Sequence, residues 1–413
     1  MLRPRVALVV ALLMAAGLPG PDAAGGDWPQ FRGPGRDGLS AETGLLRAWP
    51  AAGPRVIWRR PLGDGFSGIA IVEGRLYTMM AEGDSELAAC IDPDTGKEVW
   101  RATLGPKFVE QFGDGPRATP TVVGGLVVAL SSRGKLFALK AEDGSKVWEV
   151  DLVAAFGSKV PTWGFSGSPL VDGDLVIVEG GGAEGKAFQA LDKRTGQTKW
   201  TSQNGGAGYA SGIAVTIGGV RQMIFSRSGG EVVSLLPTGE LSWKHAWKPG
   251  GIAMPLFVPP NRIFASTVDD AGSILLEVGT ESGKVSAREV WSSRAMKNHF
   301  SSSVLVGDHI YGFDNATLKC MTAATGEQRW VQRGFGKGTL IAADGLLIVL
   351  GDQGALVLVE ATPEGYREKG RFQALTGKAW TAPSLSGGRL YLRDQDEIVS
   401  LDLSSSAAGA ASP

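Results

Sequence analysis

The stretch Ala190–Trp200, A-L-D-K-R-T-G-Q-T-K-W, recurs along the chain. Cys90–Trp100 reads C-I-D-P-D-T-G-K-E-V-W, Ala138–Trp148 reads A-L-K-A-E-D-G-S-K-V-W, and Cys320–Trp330 reads C-M-T-A-A-T-G-E-Q-R-W. Each copy is a short apolar strand, a polar turn whose Gly can take positive φ, and a second strand carrying a Trp. In Gly96/Trp100, Gly144/Trp148, Gly196/Trp200, Gly239/Trp243 and Gly326/Trp330 the Trp follows the Gly by an even step, so every indole faces the same side of its hairpin. A large apolar ring fixed on one face in each copy is a packing residue between sheets.

The hairpin Trp residues are Trp58, Trp100, Trp148, Trp200, Trp243, Trp291 and Trp330, between 39 residues (Trp291 to Trp330) and 52 residues (Trp148 to Trp200) apart. That period suits a four-stranded unit. In the sixth copy Gly283 and Trp291 are further apart than elsewhere, which predicts a lengthened turn. An eighth unit near Glu360–Phe372 keeps Gly365 and lacks the Trp. Gly turns between apolar runs, as in Thr121–Leu130, Leu170–Val178 and Ile71–Tyr77, supply a second hairpin per unit. Two hairpins repeated radially make an all-β, eight-bladed β-propeller of four-stranded antiparallel blades. Trp58 has no inner hairpin before it, and 382–403 has no outer strand after it, so Pro54–Arg60 is expected to pair with Glu397–Leu403 and close the ring.

Composition narrows the chemistry. Lys+Arg 41 against Asp+Glu 42 gives a net charge of −1, which offers no global field for nucleic acid or an anionic membrane. The 3 His leave little material for a histidine metal site or a Ser-His-Asp relay. Cys90 and Cys320 occupy equivalent places in non-adjacent units, too far apart for a disulfide, and read as small core residues.

Residues 1–25 carry Arg3 and Arg5, then the apolar run Val6–Ala16, then small residues: the layout of a signal peptide, with a run too short to span a bilayer. Export to the periplasm or the medium is expected, with no integral membrane segment after cleavage and a monomeric product. Residues 26–53 form an N-terminal strap whose Trp28 and Phe31 dock on the domain, 54–403 the propeller, and 404–413 a disordered tail.

The unit [small]-L-D-x-x-T-G-x-x-x-W, with its terminal closure, resembles the pyrroloquinoline quinone (PQQ) repeat family, eight-bladed propellers named after quinoprotein alcohol dehydrogenases. The resemblance covers roughly Pro54 to Leu403. The strap W-P-Q-F-R-G-P-G-R-D-G and the segment A-T-P-E-G-Y resemble exported bacterial members described as PQQ-binding-like. The resemblance implies two roles. In the dehydrogenases PQQ and calcium sit above the central channel, commonly under a vicinal disulfide, and this chain has no adjacent Cys pair. A second branch, the propeller lipoprotein of the outer-membrane assembly machinery, has no cofactor and works through its loops; no Cys lies beside the leader junction here.

Ring folds bind ligands at the channel mouth, where the innermost strands begin. Aligning the units on their inner turns gives one column reading Phe66, Pro116, Phe165, Tyr209, Gly251, Phe300, Gly336, Trp380, and a second reading Ser67, Arg117, Ser166, Ala210, Ile252, Ser301, Lys337, Thr381. Arg117, Lys337, Trp380, Tyr209 and Phe165 are the cofactor-binding candidates. The aromatics would stack on a flat or sugar-like ligand and the cations would bind its carboxylates. Alternatively the rings pack blade against blade, and the cations are solvated or pair with Asp114 or Asp344.

Asp92, Asp94, Asp143 and Asp192 lack calcium-loop spacing and read as turn formers. Glu179, Asp269 and Asp270 read as solvated loop charges. Asn298–Ser303 sets His299 beside three Ser without a nucleophile elbow. No catalytic residue and no metal ligand is assigned. The favoured expectation is a non-catalytic binding scaffold for a protein or polysaccharide partner. The alternatives are a PQQ-dependent oxidoreductase and a polysaccharide-binding propeller, each using the channel mouth.

Overall fold

The computed structural model describes residues 26–405 apart from 248–249 and 282–283; residues 1–25, where a leader is expected, the turn residue Gly283 and most of the C-terminal tail fall outside the described residues. Eight antiparallel blades of four strands surround an axis, one of them extended by a fifth strand. Blades 1 to 7 are 70–106, 121–151, 170–202, 213–246, 256–293, 304–332 and 339–373. Blade 8 takes three strands from 384–402 and its outermost strand from the opposite end of the chain: Arg55–Pro61 pairs antiparallel with Glu397–Asp402, Arg55 opposite Asp402 and Pro61 opposite Glu397. The ring is thus closed by backbone hydrogen bonds between its ends.

Each repeat Trp lies on the outermost strand of its blade and joins that blade to the next. Its indole N–H donates to a carbonyl of the next blade's turn, and its ring lies over that turn's Gly, save that Trp330 meets Tyr366 instead, at 6.0 Å. Trp148 shows the arrangement: its Nε1 donates to Lys193 O at 2.9 Å, and a methyl added to Gly196 would meet its ring at 2.8 Å. Gly196 has φ +72°, so both the turn and the stacked ring require glycine there. The same donation runs from Trp58 to Pro93, Trp100 to Ala141, Trp200 to Pro237, Trp291 to Ala323 and Trp330 to Thr362.

Two copies lack the donation itself, each for a local reason. In blade 5 the outer strands Ser273–Glu281 and Lys284–Ser293 run on past the point where other blades turn. Trp243 of blade 4 therefore packs with Val285 and Ala287 and donates within its own blade to Gln222 Oε1 at 2.7 Å. In blade 7 the position opposite Leu358, where the other blades place Trp, is Gly370. The strap fills the gap: Trp49 Cβ lies where a Gly370 side chain would be, and Trp49 N donates to Lys369 O at 3.1 Å.

The strap crosses one end of the channel, touching blade after blade. Trp28 exchanges backbone hydrogen bonds with Ile71 of blade 1, and Pro29 O accepts from Val122 N of blade 2. Leu39–Ser40 adds a parallel strand to Thr339–Ala343 of blade 7. Ser404 bridges to Leu45, and Ser405 N donates to Gly44 O, so the last described residues are bonded to the strap. Among the described residues the one α-helix is the single turn Leu152–Phe156, and no helix is long and apolar enough to cross a membrane.

Candidate functional site at the channel mouth

All eight blades contribute to one axial cavity of about 260 Å³, because each lends the residues that lead into its innermost strand. Its wall is tied together by hydroxyls that bond across blade boundaries. Gly68 N donates to Thr119 Oγ1 at 3.0 Å, Thr119 N to Ser168 Oγ at 2.9 Å, and Ser168 N to Ser211 Oγ at 2.9 Å. Each bond satisfies a buried backbone donor where strand pairing has not yet begun.

The strap supplies the floor through Phe31 and Arg32. Arg32 and Arg36 are each 3% exposed and reach the carbonyls at the starts of inner strands. Arg36 donates to Gly212 O at 2.8 Å and to Ser168 O and Pro169 O at 3.1 Å; Arg32 donates to Ser303 O at 2.7 Å and Leu340 O at 3.4 Å. Burial without a bonded carboxylate drives both guanidinium pKa values down, to about 9 for Arg36 and about 10 for Arg32. Sequence reading passed over both as strap residues, since nothing local marks an Arg that docks more than a hundred residues away.

Four of the five sequence candidates, Arg117, Lys337, Trp380 and Tyr209, line this cavity. Phe165 does not reach it: at 1% exposed it belongs to the core of blades 2 and 3, its ring set against Gly134. Arg117 is held by its own loop. It pairs with Glu110 at 2.6 Å, donates to the Gly113 and Gly115 carbonyls, and lies over the Phe108 ring at 5.0 Å. Asp114 faces Lys107 and Asp344 binds Arg47, so neither is the partner expected for a mouth cation. The Lys337 ammonium lies 3.2 Å from His299 Nδ1. Burial first, and the Lys337 charge second, lower the His299 pKa, so the ring is neutral and accepts this hydrogen bond.

The rim is aromatic. Trp380 stacks with Phe300 at 4.8 Å and with Phe66 at 5.5 Å, while Phe112 leans on it at 6.2 Å; across the mouth Trp163 meets Tyr209 at 5.0 Å. Phe112 and Trp163 lie on loops outside the repeat columns, so the alignment of repeats could not find them. The carboxylate that lines the cavity is Glu110, already paired with Arg117, and among the described residues no group of three His, Cys, Asp or Glu could hold a metal ion. Cys90 and Cys320 are both free and buried in different blades. The lining therefore does not fit a quinone held with calcium beneath a disulfide.

Two further expectations are settled by the side chains. Glu179 is not a solvated charge: it is buried and bound to Arg227 at 2.7 Å between blades 3 and 4. Asp92 and Asp192 each accept hydrogen bonds from the backbone two and three residues on, which is turn formation.

Comparison with known proteins places the chain. A curated relative, the outer membrane protein assembly factor BamB of Burkholderia pseudomallei (strain K96243), is 26% identical over 389 residues, covering 87% of this chain and 91% of the relative. BamB from Moraxella catarrhalis superposes with a TM-score of 0.62 at 16% identity, over 84% of this chain and 99% of that structure. Quinohemoprotein alcohol dehydrogenase from Comamonas testosteroni superposes with a TM-score of 0.66 at 13% identity, over 92% and 81% of the two chains. At such identities the two structures show a shared fold. The family model described as outer membrane protein assembly factor BamB matches residues 83–332, more than half of the chain, and the protein therefore belongs to that family of propellers.

Proposed function

We propose that this protein is an exported, non-catalytic scaffold for outer-membrane protein assembly that engages a protein partner through the loops around the channel mouth. The observation that carries this reading is a set of exposed apolar side chains on two touching loops. Val109 is 65% exposed, Phe112 42% and Val160 40%, and Phe108 packs against Gly164 where the loops meet. Exposed apolar side chains on neighbouring loops suit a protein surface. The curated relative's name supports the same class of partner.

The sugar-binding alternative needs free aromatic faces, whereas Phe66, Phe300 and Trp380 stack on one another. The quinone alternative needs an uncommitted cation at Arg117, and that guanidinium is bound by Glu110 and two carbonyls. The layout of residues 1–25 supports delivery across the inner membrane to the periplasm.

The double variant Phe112→Asp/Val160→Asp tests the reading. Both side chains are partly exposed, so a variant whose thermal midpoint shows a folded chain should still lose co-purification of envelope proteins. Undiminished co-purification by the folded variant would remove the mouth from the reading.

A further inference from the structure

We propose that Asn204–Gly205 is a self-modification site, at which the backbone nitrogen of Gly205 attacks the side-chain amide of Asn204 and converts that residue to aspartate or isoaspartate. The assignment does not rest on partner docking, so either reading can fail without the other.

Sequence sets the first condition. The chain holds four Asn, at positions 204, 261, 298 and 315, and Asn204 alone is followed by Gly. Glycine has no Cβ to screen its backbone nitrogen from the side chain before it. The pair follows Thr198–Ser202, the outermost strand of blade 3, and Asn204, Gly205 and Gly206 are exposed. Gly205 N donates to no acceptor among the described residues, so no backbone hydrogen bond holds the nucleophile back.

The fold also prepares the electrophile. Gly185, in the 179–187 loop of the same blade, donates its N–H to Asn204 Oδ1 at 2.7 Å. That donor polarises the amide carbonyl and stabilises the oxyanion that forms when the carbonyl carbon is attacked. The Asn204 Nδ2 has no acceptor among the described residues, which leaves the departing ammonia a path to solvent. The other Asn lack this combination. Asn298 is 2% exposed and its amide is held by Phe313 O and Ser303 Oγ, and Asn261 donates its Nδ2 to Val278 O at 2.9 Å. Asn315 is exposed but precedes Ala316.

The reaction balances with water alone. Gly205 N bonds to Asn204 Cγ and gives up its proton, the Cγ–Nδ2 bond breaks, and ammonia leaves a cyclic succinimide. Water then opens the ring at either carbonyl, giving aspartate, or isoaspartate with the main chain routed through the former side chain. Both products place a new negative charge beside Arg227, whose Nη2 donates to Asn204 O at 3.0 Å and whose Nε binds the buried Glu179 at 2.7 Å. In isoaspartate the backbone carbonyl that now accepts from Arg227 becomes the free carboxylate, so a charged acceptor replaces a neutral one and competes with Glu179 for the guanidinium.

Incubation of the purified protein between pH 6 and pH 9, followed by ion exchange and peptide mass spectrometry, tests this. One more acidic species should accumulate, with the changed residue at Asn204 and isoaspartate among the products. Its rate should rise with pH, because the attacking nitrogen must lose its proton. Asn204→Gln, which would have to close a larger ring, should lose that species, and Asn204→Asp should elute with the aspartate product before any incubation. The same chain unfolded in guanidinium chloride isolates the contribution of the fold, and folded Asn204 should convert at least as fast as unfolded Asn204. No conversion at Asn204, earlier conversion at Asn261, Asn298 or Asn315, an acidic species that persists in Asn204→Gln, or slower conversion in the folded chain than in guanidinium chloride would each overturn the proposal. The wild-type measurements decide the matter even where a variant fails to fold.

Discussion

Glu179 shows how one buried residue imposes a pH dependence on the whole fold. It is buried with one carboxylate oxygen unpartnered, and desolvation outweighs the attraction of Arg227, raising its pKa to about 7. A folded-state pKa above the unfolded value means that the folded chain keeps a proton that the unfolded chain releases. This contribution to stability is fully present below the ordinary carboxylate range and is lost as pH rises toward 7. The loss is at most about 1.4 kcal/mol per pH unit. Glu179→Gln should flatten that slope. Urea unfolding at pH 5 and pH 8 checks it, and parallel profiles for wild type and variant would show that Glu179 does not titrate in this range. Burial of this kind was not legible in the sequence, because E-G-G-G reads as a polar loop until the blade on the far side supplies Arg227.

At the scale of elements, the hairpin and its Trp were legible because the device is local: a turn Gly and an indole at fixed spacing. What each Trp touches was not, because its partner Gly belongs to the following unit. Trp49 is the sharpest case. It stands outside every repeat, yet it fills the position that Gly370 leaves open in blade 7. Trp49→Ala should therefore destabilise the protein as a repeat Trp does, by about 3–5 kcal/mol, in denaturant unfolding. A loss under about 1 kcal/mol would show that the strap is a passive cover. Arg36 makes the complementary prediction. Arg36→Ala removes the donors of three buried carbonyls and should cost about 3 kcal/mol in the same measurement, with the effect carried by the strap and blades 3 and 4. Hydrogen exchange would place it there, and protection lost elsewhere first would contradict the assignment.

For the whole molecule, the count of eight blades and the terminal closure followed from an unpaired strand at each end of the repeat array. The cavity followed only in part. Repeat alignment brought Arg117, Lys337, Trp380 and Tyr209 to the mouth, misplaced Phe165, and could not see that Arg117 is neutralised by Glu110 or that the floor comes from the strap. Columns of a repeat report what blades share, whereas a site in a ring is made where they differ. The set of Val109, Phe112 and Val160 is such a difference, confined to the loops that enter blades 2 and 3. Other exposed apolar side chains, including Val99, Val147 and Val331, lie on the outermost strands and are spread around the rim. The most direct test of the proposed role is site-specific photo-crosslinking in living cells, with the crosslinker placed at Phe112 and, as the rim control, at Val331. The account predicts a discrete crosslinked envelope protein from Phe112 and none from Val331. Crosslinking from Val331 with none from Phe112 would contradict it, moving the interaction surface from the mouth to the blade edges.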